Sequence, residues 1–290
     1  MNSKLTALPP LKRVPVYVIE PSDKWRVLDL QELWNFRDLL ISFAWRDIRV
    51  RYRQTFLGAI WVVLQPLMGA VVFSIVFHTV AHLPEPIGVP YFFISYTGLL
   101  SWSLFSNTLT KSSNSLVNNA HLLSKVYFPR LFLPLSTVLS CALDCAVSLL
   151  AVIVAMLATG MMPSPHLILL PIWLLLLVLL ATGIGLHVGA LMVPYRDVQH
   201  ILPVFMQLLL YASPVGYSLS QALAQVPYEW HLFFYANPLS CLIEACRWSL
   251  LGHGHLPGIP LLYSALFALV FFLTGLVSFR SLERKFADVI

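Results

Sequence analysis

Charge is what this sequence has least of. Asp, Glu, Lys and Arg make up only 11% of its 290 residues, against about 25% in an ordinary soluble domain. Such a chain cannot coat its own surface with polar groups, which excludes an ordinary water-soluble fold. Chemistry-bearing motifs are missing too. No G-x-x-x-x-G-K-[ST] phosphate loop occurs, so the chain is not expected to bind ATP in that manner. Neither H-E-x-x-H nor G-x-S-x-G is present, and the nine histidines do not cluster with acids. His253-x-His255 lies among glycines and is weak support for a metal; no metal site and no cofactor of the chain's own are expected. Cysteines number four. Cys141 and Cys145 share a helix face and read as small packing residues, whereas Cys241 and Cys246 would face different ways, so no disulfide is expected between them. Residues 1–30 contain no apolar signal-peptide core, and nothing there looks cleavable.

What the sequence does have is long apolar runs. Hydrophobic residues make up 58% of it and the mean hydropathy is +0.78. A helix needs roughly 20 apolar residues to cross the hydrocarbon core, and candidate spans fall at about 57–80, 91–111, 131–158, 166–193, 198–218 and 260–279. The fifth is the weakest, interrupted by Pro203 and Pro214. The expected fold is an all-α polytopic membrane protein with six transmembrane helices. Six spans place Lys4, Lys12, Arg13, Lys24, Arg26, Arg37, Arg46, Arg49, Arg51, Arg53, Lys125, Arg130, Arg196, Arg280, Arg284 and Lys285 on one side, with Lys111 at the same end of the second span. Only Arg247 falls on the other. By the positive-inside rule both termini are then cytoplasmic.

The basic residues also crowd unevenly. RDIRVRYR, residues 46–53, puts four arginines directly ahead of the first span. Anchoring at the headgroup level, with Trp61, accounts for some of this. The preceding stretch accounts for more: Leu33, Phe36, Leu40 and Phe43 recur at spacings of three and four, with Arg46, Arg49 and Arg53 as a second stripe. Residues 31–56 therefore read as an amphipathic helix lying in the membrane surface. Before it, residues 1–30 form an irregular cytoplasmic lead-in, given Pro9, Pro10, Pro15 and Pro21; after the last span, 281–290 form a cytoplasmic tail.

Two segments do not fit simple spans. Residues 113–136, polar and partly helix-forming, are longer than an inside turn needs to be, and a short helix there is placed to dock into another protein. A helical hairpin without a partner is the alternative. The run 219–252 tempts one into a seventh span, but Asn237-Pro238 breaks it and Glu244 and Arg247 sit inside it at i, i+3 spacing. It reads as a pair of short helices entering the outer leaflet and returning, which is tolerated only beside protein or a water-filled cavity. Glu244 and Arg247 are either a structural ion pair or part of an exit. Asp144, an acid in the third span, is either functional or held by polar neighbours such as Ser140 and Ser148; no basic partner for it is evident in the other spans. Aromatic candidates for the lining of a passage are Phe73, Phe77, Tyr96, Trp102, Tyr211 and Tyr217.

The combination resembles a known family. ELWNFRDLLISFAWRDIRVRYRQTFLGAIWVVLQPL, LLSKVYFPRLFLPLS, the RD of VPYRDVQHILP, ASPVGY, NPLSCLIEACRWSLL and FRSLERKFADVI are similar to segments of the membrane subunits of type-2 ABC exporters of polysaccharide, the O-antigen and teichoic acid permeases. The likeness runs over roughly residues 20–290. It implies an ABC-2 type transmembrane domain over 57–280, an interface helix before it, a coupling helix at about 115–128 and re-entrant helices before the last span. It also implies a homodimer in the bacterial inner membrane with two copies of an ATPase subunit, which would hold ATP and Mg. On that likeness His121, Leu122, Lys125 and Arg130 would couple to the ATPase, and Arg46, Arg49, Arg51 and Arg53 would meet a lipid-pyrophosphate headgroup. The two copies of spans one and five would part to pass a lipid-linked glycan. Two competitors are a type-2 ABC exporter of a small molecule or lipid, and a membrane-embedded glycolipid enzyme, which would need grouped acids or metal ligands at a membrane face.

Overall fold

The computed structural model describes residues 34, 36–53, 60–82, 89–123, 128–254 and 256–289. Among them there are helices and connecting turns and no strand. Helix α1 runs Arg37–Arg53. Helix α2, Ile60–Ser74, continues into a π-helical turn, Ile75–Val80. Helix α3 is Tyr91–Asn118, α4 is Ala120–Leu123 and α5 is Phe132–Ala158. A 3-10 turn, Pro165–Leu169, leads into α6, Leu170–Met192, and α7 follows at Val198–Ala212. Three short helices come next: α8, Leu219–Gln225; α9, His231–Ala236; and α10, Pro238–Leu251. Helix α11, Gly258–Val289, closes the chain.

Four stretches are long and apolar enough to cross a membrane: Ile60–Val80, Phe132–Ala158, Pro165–Met192 and Gly258–Ser281. The two other expected spans differ for opposite reasons. Helix α3 has 28 residues, ample length, but is rich in hydroxyls. Helix α7 is apolar but has 15 residues, about 22 Å at ~1.5 Å per residue, short of the ~30 Å hydrocarbon core. It ends at Ala212 rather than continuing to 218.

Helix α3 tolerates its hydroxyls because it is the centre of the bundle, packed against α2, α5, α6 and α10. Ser95, Thr97, Ser101, Thr108, Ser112, Ser113 and Ser115 are all buried. Most bond back to their own helix: Thr97 donates to the Phe93 carbonyl at 2.8 Å, Ser101 to Thr97 at 3.0 Å and Ser113 to Leu109 at 2.7 Å. Small side chains satisfied in this way let neighbouring backbones come close, the usual basis of helix contact in lipid. The same logic joins α6 to α11. A β-carbon on Gly183 would lie 2.6 Å from the Phe271 carbonyl carbon, and one on Gly275 would lie 2.5 Å from the Gly183 carbonyl oxygen.

The helices gather at two ends. At one, α1 brings Leu39 and Phe43 onto Leu116, Phe128, Leu131, Leu133, Leu186, Leu276 and Phe279. The inward face of α1 thus includes Leu39 with Phe43, and Ala44 is buried, while Ile41, Trp45 and Val50 are exposed. Arg46, Arg49, Arg130, Arg196 and Arg280 adjoin the elements of this end. At the other end Val89, Tyr91, Val152, Met156, Leu250 and Leu251 pack together, and the His166 ring stacks on Trp248 at 4.1 Å.

Candidate functional site

Between α7 and α8 the chain leaves helical geometry over residues 213–217, yet Ser213, Pro214, Val215 and Gly216 are buried. Pro214 breaks the helix, and the freed backbone groups must find partners. They do. The Arg247 Nη2 donates to the carbonyls of Pro214 and Val215, each at 3.2 Å, and Arg247 Nε donates to Ile94 at 3.3 Å. Ser95 Oγ donates to the Gly216 carbonyl at 3.1 Å, and Asn237 Nδ2 donates to Ser213 Oγ at 2.9 Å. The remaining Arg247 nitrogen, Nη1, pairs with Glu244 Oε2, which also accepts from the Leu219 backbone N–H at 3.0 Å. Arg247 and Glu244 are each 2% exposed. The pair is a buried clamp that holds a broken helix against α3.

Local sequence sets the clamp. Asn237 caps α10 by accepting from Leu239 N–H at 3.1 Å, with Pro238 in its first turn. Gly252 ends α10 at φ 73°, the left-handed position that favours glycine. Ser218 and Gln221 form a capping box on α8. The expected pair of short helices is therefore three, α8, α9 and α10, because residues 226–230 add a further break at Pro227.

The aromatic candidates separate. Phe73, Phe77 and Tyr217 come together with Tyr91: Phe77 meets Phe73 and Tyr217 edge-on, each at 5.6 Å, and Tyr91 at 6.5 Å. They fasten the far end of α2 to the 213–217 segment. Tyr96 is buried and its hydroxyl donates to the Ser148 carbonyl at 3.3 Å. Trp102 is buried beside Phe105 at 5.9 Å. Tyr211, on α7, is 67% exposed.

At the basic end, Arg46 donates from Nε and Nη2 to Asp47 Oδ1 at 3.1 and 2.9 Å, and from Nη2 to Asn119 Oδ1 at 3.0 Å. Its guanidinium also lies over Phe43 at 5.1 Å. Phe43 in turn meets Phe128 edge-on at 5.3 Å. Arg49 is exposed, 6.0 Å from the Trp45 ring. The side chains of Arg51 and Arg53 lie outside the described residues. Helix α3 continues to Asn118, past the expected start of the coupling helix, and breaks at Asn119 (φ −115°, ψ 21°) before the short α4. His121 on α4 is exposed, and Leu122 packs partly into the cluster around Phe128. Arg130 is half-buried at the start of α5. Lys125 lies outside the described residues, as does His255.

Asp144 has the basic partner that the sequence reading missed. Lys111 Nζ of α3 stands 3.5 Å from Asp144 Oδ2. Placing Lys111 only at the end of the second span hid this pairing. Ser148, one turn further along α5, donates from Oγ to the Val62 carbonyl at 3.2 Å. Pro66, four residues after Val62, lacks the N–H that carbonyl would otherwise accept. Ser140 instead bonds back to Thr137 at 3.1 Å. The four cysteines are free and buried.

The described residues form a helical bundle with a polar central helix, a clamped helix break and a basic end. The ABC-2 type transporter family pattern matches residues 38–251. The chain is similar to the O-antigen export system permease protein RfbA of Myxococcus xanthus, 30% identical over 90% of this chain and 98% of that protein. It is 28% identical to an RfbA of Klebsiella pneumoniae over 87% of this chain and 95% of the relative. The polysialic acid transport protein KpsM of Escherichia coli is 26% identical over 82% of this chain and 91% of its own. With most of its length matched by the family pattern and by these relatives, the chain belongs to the ABC-2 type transporters, as a multi-pass membrane protein.

Proposed function

We propose that this chain is the channel-forming permease subunit of an ATP-driven exporter that moves a lipid-linked polysaccharide across the bacterial inner membrane. One observation carries the reading. Relatives named for two different polymers, O-antigen and polysialic acid, match it over nearly their whole length, so what they share is export of a long glycan. In this reading the bundle has six spans, with α3 and α7 as the second and fifth, and α8 to α10 form a re-entrant region at the exit. The gathering of Arg46, Arg49, Arg130 and Arg280 at one end supports placing that end, and both termini, in the cytoplasm.

Two copies of the chain and two copies of an ATPase make up the exporter, and ATP and Mg bind the ATPase. Its closure pushes on the segment after Asn119, at His121, Leu122, Lys125 and Arg130. Arg46 and Phe43 tie that segment to α1, which supports α1 moving with it. The exposed faces of α2 (Trp61, Met68, Val72) and α7 (Phe205, Leu208, Tyr211) are the surfaces that would meet across the dimer. Arg49, Arg51 and Arg53 meet the lipid-pyrophosphate headgroup at the entrance.

Deleting the gene in its own cell and locating the polysaccharide tests this. Polymer held on the cytoplasmic side of a bare cell is the expected result. An unchanged surface would point to a small-molecule or lipid exporter, and loss of polymer from both sides to a glycolipid enzyme.

A further inference from the structure

Helix α2 is held differently at its two ends. At the near end Ser148 Oγ of α5 donates to the Val62 carbonyl at 3.2 Å. Four residues on stands Pro66, which removes one bond of the helix ladder and is a usual place for a helix to bend. Beyond it the fastening is made of rings. A β-carbon on Gly216 would lie 2.7 Å from Phe73 Cδ2 and 2.5 Å from Phe77 Cε2, so a glycine there lets both rings sit on the 213–217 segment. Phe77 also meets Tyr217 and Tyr91, and the exposed His78 ring stacks on Tyr91 at 6.1 Å. The stretch that presents these rings leaves α-helical geometry. Ile75–Val80 is a π-helical turn, a rarity that recurs at functional sites, and His82 just after it has φ 52°, uncommon for a residue other than glycine.

We propose that the part of α2 beyond Pro66 is a hinged arm, latched at rest by Phe73 and Phe77 on Gly216 and lifted from it during each transport cycle, while α10 and the 213–217 segment stay with α3. This rests on the polysaccharide-export reading and names which wall of the passage moves. Burial separates the arm from what it touches. In Ile60–Val80 the buried residues are Pro66 and Ala70, whereas in α10 twelve of fourteen are buried. Elements with few buried contacts open at lower cost than packed ones. The chemistry of the contacts selects the same side. Arg247 donates to Ile94 of α3 and to Pro214 and Val215, and Trp173 Nε1 of α6 donates to Ser249 Oγ of α10 at 2.8 Å. Parting those bonds would bare a buried charge and backbone carbonyls, which is expensive. Parting the rings leaves no polar group without a partner.

The test uses the permease with its ATPase in proteoliposomes and the cell's own lipid-linked polysaccharide. Two cross-links are compared. Phe73→Cys with Gly216→Cys, joined by a short bis-methanethiosulfonate, ties the arm to the segment, and the first change removes one of the rings that the new side chain would meet. Ser101→Cys replaces the hydroxyl that bonds to the Cys246 thiol, and oxidation then ties α10 to α3. The first link is expected to stop export until a reductant releases it, and the second to leave export as it was. Should Gly216→Cys fail to assemble, since Phe77 still crowds it, Tyr91→Cys in nanodiscs gives a second reading. Position 91 is buried against Phe77 and His78. Its labelling by a maleimide, read by mass spectrometry apart from the native cysteines, is expected to quicken about tenfold when ATP and substrate are supplied, as for an open state at most about a tenth populated at rest. Undiminished export by the joined first pair overturns the inference, as does labelling at 91 that turnover leaves unchanged. So does loss of export on joining the second pair, since α10 would then be what moves. The gene deletion separates the two levels: trapped polymer together with any of these results sinks this inference alone, and an unaltered surface sinks the export reading itself.

Discussion

The Val215 carbonyl oxygen lies 1.9 Å from the point that a β-carbon on Gly98 would occupy, and Arg247 Nη2 lies 2.8 Å from it. Both obstacles belong to the clamp, one as its backbone and the other as its cation. Gly98→Ala is therefore expected to push the 213–217 segment off α3 and stretch the Arg247 bonds. Overpacking of this kind costs about 1–3 kcal/mol. The measurement is thermal unfolding of the purified protein in detergent, where a lowered midpoint is expected; an unchanged one would mean that the segment moves freely.

Arg247 and Glu244 should not be equivalent. Removing one partner of a buried ion pair costs about 3–5 kcal/mol. Replacing both by apolar residues often restores stability when the pair has no other duties. Arg247 has others, since it donates to the Pro214 and Val215 carbonyls, which lie outside any helix, and also to Ile94. Arg247→Met is expected to harm folding more than Glu244→Gln, and the double replacement Glu244→Leu with Arg247→Met not to recover the loss. Yield of monodisperse protein for the three variants decides this. Recovery by the double variant would mean that the carbonyls find other donors.

The arginines ahead of the first span divide by what they touch. Arg46 is occupied by Asp47 and Asn119, whereas Arg49 is exposed. Arg46→Gln and Asn119→Ala are expected to lower export per ATP hydrolysed without altering affinity for the lipid-linked substrate. Their double variant should be no worse than either single, because each breaks the same contact. Arg49→Gln is expected to weaken substrate binding in a salt-dependent way and leave the coupling ratio alone. Reconstituted export and ATPase rates, measured together, separate the two effects.

Local signals in the sequence marked much of this. Asn237-Pro238 announced the start of α10, and the crowding of basic residues announced one end of the bundle. The rest depends on contacts between distant residues. Helix α3 was legible as a long helix from its apolar residues, but its place at the centre of the bundle depends on hydroxyls whose bonds to their own helix no hydropathy scale counts. The Lys111–Asp144 pair spans 33 positions, and both residues had plausible local explanations: the charged end of a span for one, serine neighbours for the other. Nothing near Arg46 pointed to Asn119, 73 residues away. The place of Tyr96 and Trp102 inside the protomer, with Tyr211 at its surface, follows from helix rotation, which one sequence does not specify.

Helix α7 carries the last expectation. Its 15 residues, with Pro203 inside, are too short to cross lipid unaided, yet Ile201, Phe205, Leu208 and Tyr211 are exposed along it. An apolar helix of ordinary length could leave such a face in the acyl chains. The segment ending this short helix, 213–217, is already held inside the protomer by Arg247, Ser95 and Asn237, so the exposed apolar face is the part of α7 left for a neighbour to cover. A second copy of the chain is the cover expected from the proposed homodimer. Tyr211→Cys and Leu208→Cys, introduced singly, should then give a disulfide-linked dimer on mild oxidation in membranes, while a cysteine at Ile172, exposed on α6, should not. The four native cysteines are buried and supply the background. Cross-linking at Ile172 and none on α7 would place the dimer on the opposite face and remove α7 from the passage.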